Sequence, residues 1–170
     1  MNTGQMLITM GAMFLLSMII LSVNSGYSRN SAIILDSKFD ILAVSLATSI
    51  IEDANGLAFD ANTVGSGNIV LTPSQLSTLG HGSGEYYVSR DSNNFNDFDD
   101  YHGLQVTYND STLESAVFNI WCNVGYISDS NPDVFVSSKT WYKKLDVFLA
   151  SESMTDTIKM STVMSYFYYR

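Results

Sequence analysis

The densest set of side chains able to do chemistry lies in Asp91-Ser-Asn-Asn-Phe-Asn-Asp-Phe-Asp-Asp-Tyr-His-Gly103. Asp91, Asn93 and Asp97 offer oxygens at spaced positions, with Asp99 beside them, as a loop would to wrap a hard cation such as calcium. The glycine and the distal bidentate glutamate of an EF-hand loop are missing, so the match to a calcium loop is partial. A solvated turn whose aspartates accept backbone N–H bonds accounts for the same residues. Gly80-His-Gly-Ser-Gly84 lacks the Lys-Ser/Thr of a phosphate loop and does not join a strand to a helix. Neither His81 nor His102 has a nucleophile at a spacing that signals a catalytic site. Cys122 is the single cysteine, which excludes an intrachain disulfide and any CxxC or Cys/His zinc pattern. It sits in an apolar alternating stretch and reads as a small buried hydrophobe. No catalytic residue and no cofactor are expected.

The formal charge of −9 and pI near 4.3 argue against nucleic acid as a partner, because no cluster of Lys or Arg could neutralise phosphates. The same sign argues against an anionic lipid surface for the polar part of the chain. Of the 170 residues, enough remain after the apolar N-terminal stretch for one domain of ordinary size.

That stretch, Met6 to Val23, carries only Thr9, Ser17 and Ser22 as polar side chains, and no charge precedes Arg29. As a helix it would be about 27 Å long, close to a hydrocarbon core of about 30 Å. Its hydroxyls can bond to its own carbonyls one turn back. Asn24-Ser-Gly-Tyr-Ser28 is a poor helix stretch, Gly26 costing about 1 kcal/mol relative to alanine. Helical spacing resumes at Ile34, Leu35, Lys38, Ile41, Leu42, Ser45, Leu46, Ser49 and Ile50, and Asn55-Gly56 is a stop signal. We read one helix, Met6 to Ala54, with two helices joined at 24–28 as the alternative. Its second half must bury an apolar face, and a sheet from the rest of the chain is the natural cover.

Residues 57–101 are rich in Gly, Ser, Asn and Asp, and predict a loop region with one or two short strands at Ile69–Leu71 and Tyr86–Val88. Alternation is clear beyond Gly103. Leu104, Val106 and Tyr108 share a face, Asn109-Asp-Ser111 marks a turn, and Ala116–Ile127 sets Phe118, Ile120, Cys122 and Val124 opposite Asn119, Trp121 and Asn123. Asp129-Ser-Asn-Pro-Asp133 breaks the chain. Trp141–Ala150 then alternates Lys143, Leu145, Val147 and Leu149 against Lys144, Asp146 and Phe148, and a last strand runs from Thr157 to about Tyr168. Four strands with short turns predict an antiparallel sheet, and with the helix an α+β fold. Trp121, Phe148, Phe167 and the closing Tyr166-Phe-Tyr-Tyr-Arg170 supply more aromatics than one buried face can hold, which points to an interaction surface or a covering loop.

The N-terminus admits three readings: a cleaved secretory signal, a plain membrane anchor, or a short leader ending at Gly4. A polar leader closed by glycine, with an apolar helix at once behind it, resembles type IV pilins and pseudopilins. Asn96-Asp-Phe-Asp-Asp-Tyr-His-Gly103 before an alternating strand, and the order through "KKLDVFL" to "TIKMSTVMSYF", look like mannose-sensitive-haemagglutinin-type minor pilins. The resemblance covers most of residues 1–57 and 96–170. It implies cleavage by a prepilin peptidase between Gly4 and Gln5 and no enzymatic activity. It also implies assembly through the helix, where Thr9, Gly11, Ala12 and Phe14 would meet other pilin or pseudopilin subunits. The implied organisation is a leader at 1–4, a transmembrane and assembly helix at 5–24, its amphipathic continuation at 25–57, a loop-rich region at 58–103 and a sheet at 104–170. The implied partners are sister subunits, the peptidase, an inner-membrane assembly platform and the lipid bilayer. The implied location is a single-pass membrane protein with its C-terminal domain outside the cytoplasm, at the pilus or cell surface after assembly. Thr9 stands where the family has a glutamate that pairs with a neighbour's N-terminal amine, a difference that favours a minor over a major subunit; the leader also lacks the family's usual basic residue. A membrane-anchored binding protein using its aromatic sheet face is the alternative.

Overall fold

The structure, a computed structural model, describes residues 2–65, 68–87, 94–109 and 117–168. One α-helix, α1, runs from Thr3 to Asn55 without a break. The alternative of two helices is therefore set aside: Gly26 lowers helix propensity, but it leaves the backbone ladder intact. The helix starts three residues before Met6, with Asn2 O accepting from Gln5 N at 2.9 Å and Met6 N at 3.3 Å. It ends at Gly56, whose N–H donates to Glu52 O and Asp53 O at 3.1 Å each.

The chain forms two compact units, Met1–Lys38 and Phe39–Arg170, which divide inside α1. In the first, every residue from Asn2 to Leu35 is exposed. Thr9 and Ser17 hydroxyls donate to Met6 O and Met13 O at 2.9 Å each, so neither leaves an unbonded polar group on the apolar surface.

In the second unit the sheet has five antiparallel strands, not four: β1 Gln105–Asn109, β2 Val117–Ser128, β3 Asn131–Val136, β4 Tyr142–Ala150 and β5 Ile158–Ser165. The order is β1-β2-β4-β5, with β3 paired to the far end of β2. The unforeseen strand is β3. Asn131-Pro-Asp133 reads as part of a chain break, yet the turn is only Asp129-Ser130, and Pro132 is tolerated in a strand that pairs along one edge. Phe135 of β3 lies over Gly125, where a Cβ would come within 2.4 Å of its ring.

Phe118, Ile120, Cys122, Val124 and Tyr126 of β2 pack inward with Leu145, Val147 and Leu149 of β4 and Met164 of β5. Against them lie Ala43, Ala47, Ile50 and Ala54 of α1. The buried face of α1 thus consists of three alanines and Ile50. Ile41, expected inside, is 69% exposed. Among the described residues of 57–103 there is no strand, contrary to the expectation at 69–71 and 86–87; Val88 lies outside the described residues. The segment instead holds three 3₁₀ turns and one isolated bridge, Ala58 to Asp97. The predicted turn at 110–111, Ala116, and Tyr169 and Arg170 also lie outside the described residues.

Candidate assembly segment and buried charge cluster

Gly4 and Gln5 sit in the first turn of α1, and a Cβ on Gly4 or on Gly11 would meet nothing within 4 Å. Ala12 is exposed and Phe14 is 68% exposed. Thr9 turns its hydroxyl back onto Met6 O and so presents a methyl group outward. The most apolar stretch of α1 has a mean hydropathy of 2.4, with none of it buried. By length and composition this N-terminal helix can cross a membrane.

A site that sequence reasoning missed lies in the second unit. Lys143 of β4 is fully buried in phase with Leu145, Val147 and Leu149. Its Nζ donates to Phe59 O at 2.9 Å, to Asp60 Oδ2 at 2.8 Å and to Asp99 Oδ1. It also stands 4.6 Å from the Phe59 ring centroid and 5.4 Å from that of Tyr126. A lysine is almost never fully buried without a partner, so its phase with core positions was the available signal.

Two short turns bring the carboxylates there. Asp60 caps the turn Ala61–Thr63, and Asp97 caps the turn Phe98–Tyr101, each in a reciprocal capping box with the residue three positions on. The acidic run is therefore spent on local structure. Asp97 Oδ1 accepts from Asp99 N at 2.9 Å, and Asp100 Oδ2 accepts from Asn96 N at 2.8 Å and Asp97 N at 3.2 Å. Ala58 pairs with this corner through Ala58 N to Asn96 O at 3.3 Å and Phe98 N to Ala58 O at 2.8 Å. That bridge sets Asp60 and Asp99 on either side of the lysine.

The environments split the carboxyl groups. Burial pushes Asp60 up, but the Lys143 charge, its hydrogen bond and backbone N–H bonds from Ser77 and Asn62 outweigh this and hold it below the usual carboxylate range. Burial, then the charge and hydrogen bond of Asp99, push Asp97 up to about 8. Burial also raises Asp100, only partly offset by its two backbone donors. Of the proposed calcium ligands, Asp97 and Asp99 are buried and the Lys143 ammonium contacts Asp99; Asp91 and Asn93 lie outside the described residues.

The rest of the corner is built into the sheet. Tyr101 is buried against Phe95, and His102 Nδ1 accepts from Val124 N at 3.3 Å. Gly103, at φ 76°, turns the chain into β1. His81 stacks on Phe95. The aromatics divide between the two sheet faces. Tyr166 is covered by the loop, its hydroxyl accepting from Val70 N at 2.9 Å and donating to Val70 O at 3.0 Å. Trp121 and Phe148 stack on the outer face at 5.5 Å, with Lys159 over Phe148.

No protein-family model, curated protein or solved structure matches this chain. The fold itself defines an α+β protein: a long, apolar N-terminal helix whose last turns pack on a five-stranded antiparallel sheet. The site adds a buried lysine held between two aspartates.

Proposed function

We propose that this chain is a structural, non-enzymatic subunit of the pilin-like class, a minor component of a type IV pilus or secretion-type pseudopilus. Met1–Gly4 is a leader that a prepilin peptidase removes, leaving Gln5 first. The mature helix waits in the bilayer with the sheet outside the cytoplasm, then exchanges lipid for neighbouring helices at an inner-membrane assembly platform. The observation that carries this reading is the contrast within α1: exposed apolar side chains from Met6 to Val23, and an alanine face buried from Ala43 onward. Apolar side chains left in water would be costly, so the first stretch needs lipid or protein around it. Gly11 and Ala12 suit close helix–helix approach. The test is the mass of the mature chain in cells with and without a prepilin peptidase. Loss of the first four residues, blocked by Gly4→Val, is expected; retention of Met1 in both strains overturns the reading.

A second reading keeps the helix as a plain anchor and makes the outer sheet face a binding surface. It is favoured by the Trp121–Phe148 stack and the open groove of about 590 Å³ lined by Gln105, Thr107, Asn119 and Trp121. An unprocessed N-terminus with a solitary protein in the membrane would select it.

A further inference from the structure

The Lys143 site holds the parts of a condensation reaction as well as those of an ion pair. An amine nitrogen contacts a carboxyl group inside an apolar shell of Phe59 and Tyr126, with all four side chains buried away from water. A second carboxyl group, Asp97, stands beside the first, its Oδ1 accepting from Asp99 N at 2.9 Å. The Tyr126 hydroxyl, also buried, finds no hydrogen-bond partner among the described residues. We propose that Lys143 and Asp99 condense without an enzyme into an intramolecular isopeptide bond, Nζ to Cγ, that ties β4 covalently to the acidic corner.

The two aspartates touching Nζ are not equivalent. Asp60 accepts from Asn62 N at 3.1 Å, from Ser77 N at 2.9 and 3.1 Å and from Ser77 Oγ at 3.0 Å, bonds that favour its anion. An anion so held is a poor electrophile and a suitable base, so Asp60 takes a proton from the ammonium. The Asp99 carboxylate accepts, besides the lysine, from the Ser77 hydroxyl at 3.4 Å, and Asp97 stands next to it through the bond from Asp99 N to Asp97 Oδ1. Burial beside Asp99 pushes Asp97 up to about 8, so it carries a proton at neutral pH and can deliver it to an Asp99 oxygen.

The balance closes without a co-reactant. The neutral amine attacks Asp99 Cγ and the N–C bond forms. Asp97 protonates an Asp99 oxygen and recovers a proton from the nitrogen. The C–O bond then breaks, and the oxygen leaves as water with the proton held by Asp60. Ammonium and carboxylate become one amide and one water, and both helper carboxyl groups return to their starting states. Held reactants in a dry site supply the proximity that such a step requires. The bond would close a loop over 44 positions of sequence containing β1, β2 and β3, in a chain whose single cysteine cannot form an internal disulfide.

The experiment uses the full chain purified in detergent, denatured, digested with trypsin and sequenced by tandem mass spectrometry. The expected product is a branched species joining peptide 91–139 to peptide 140–144 through Lys143 and Asp99, lighter by one water than the two together and uncut after Lys143. Wild-type protein that yields only linear peptides, including one dehydrated within a single peptide, overturns the proposal, and this result needs no variant to fold. Asp99→Ala is expected to give linear peptides alone; a branch through Asp60 in that variant would overturn the choice of Asp99. Asp97→Asn, which retains the capping oxygen, is expected to lower the branched fraction at least tenfold. An unchanged fraction would remove Asp97 from the step.

Discussion

Replacing Lys143 with methionine tests the energetics of the buried cluster. The substitution keeps an unbranched apolar side chain of similar length in β4 but deletes the charge that stands between Asp60 and Asp99 in the uncondensed chain, the wild-type form used for comparison. Breaking a buried pair by removing one partner costs about 3–5 kcal/mol, because the remaining charge stays desolvated. For a unit spanning Phe39–Arg170, melting entropy scales to roughly 0.3 kcal/mol per degree, so about 4 kcal/mol lowers Tm by roughly 14 °C. The loss should depend on pH. Without the ammonium, Asp60 is no longer held below the usual carboxylate range and takes up a proton in the folded state. The folded variant then binds more protons as pH falls, and its deficit against wild type should shrink from pH 7 to pH 4. Asp60 retains Ser77 and Asn62 as donors after the change, whereas Asp99 keeps fewer, so adding Asp99→Asn should recover more stability than adding Asp60→Asn. Thermal unfolding in detergent, followed by circular dichroism, reads all three comparisons. A Lys143→Met protein melting within about 3 °C of wild type would refute the reasoning, as would a deficit that grows toward acid.

Three further outcomes follow from the same fold. Burial pushes the Cys122 thiol up to about 12, so maleimide should label the native protein at pH 7.5 about a hundredfold more slowly than the unfolded chain; equal rates would refute its burial. Asp97 has a folded pKa above its unfolded value, so its stabilising contribution is full below about pH 4 and declines as pH rises toward 8. Urea midpoints from pH 5 to 8 should therefore fall more steeply for wild type than for Asp97→Asn, whatever the offset between the two. Ala47 is completely buried between helix and sheet, so Ala47→Leu should cost about 1–3 kcal/mol by overpacking, read as a lower denaturation midpoint, while Ile41→Leu at an exposed position should cost almost nothing.

Much of the sheet was legible in the sequence. Period-two alternation located β1, β2, β4 and β5 and assigned Phe118, Ile120, Cys122 and Val124 to the inner face, because a strand with one face on a core must alternate. β3 escaped because Asn131-Pro-Asp133 has the composition of a turn, while its pairing depends on β2 extending to Ser128, a non-local fact. The helix was visible as apolar periodicity, and its buried face only in part, at Leu46 and Ile50. Counting large apolar residues selects Ile34, Leu35 and Ile41, which are exposed, as well as Ile50, which is buried; the other buried positions hold the small side chains of Ala43, Ala47 and Ala54. The charge cluster went unread, although Lys143 in phase with Leu145 and Leu149 was a signal of a buried lysine. Asp60 and Asp99 lie 83 and 44 positions away, so only the fold could name them.

The proposed role of the apolar helix is tested most directly by shearing surface filaments from cells that make this chain and sequencing the N-termini in the sheared fraction. Filaments that contain this chain, beginning at Gln5, are the expected result. A chain found only in the membrane fraction, still beginning at Met1 and without sister subunits, would contradict the account.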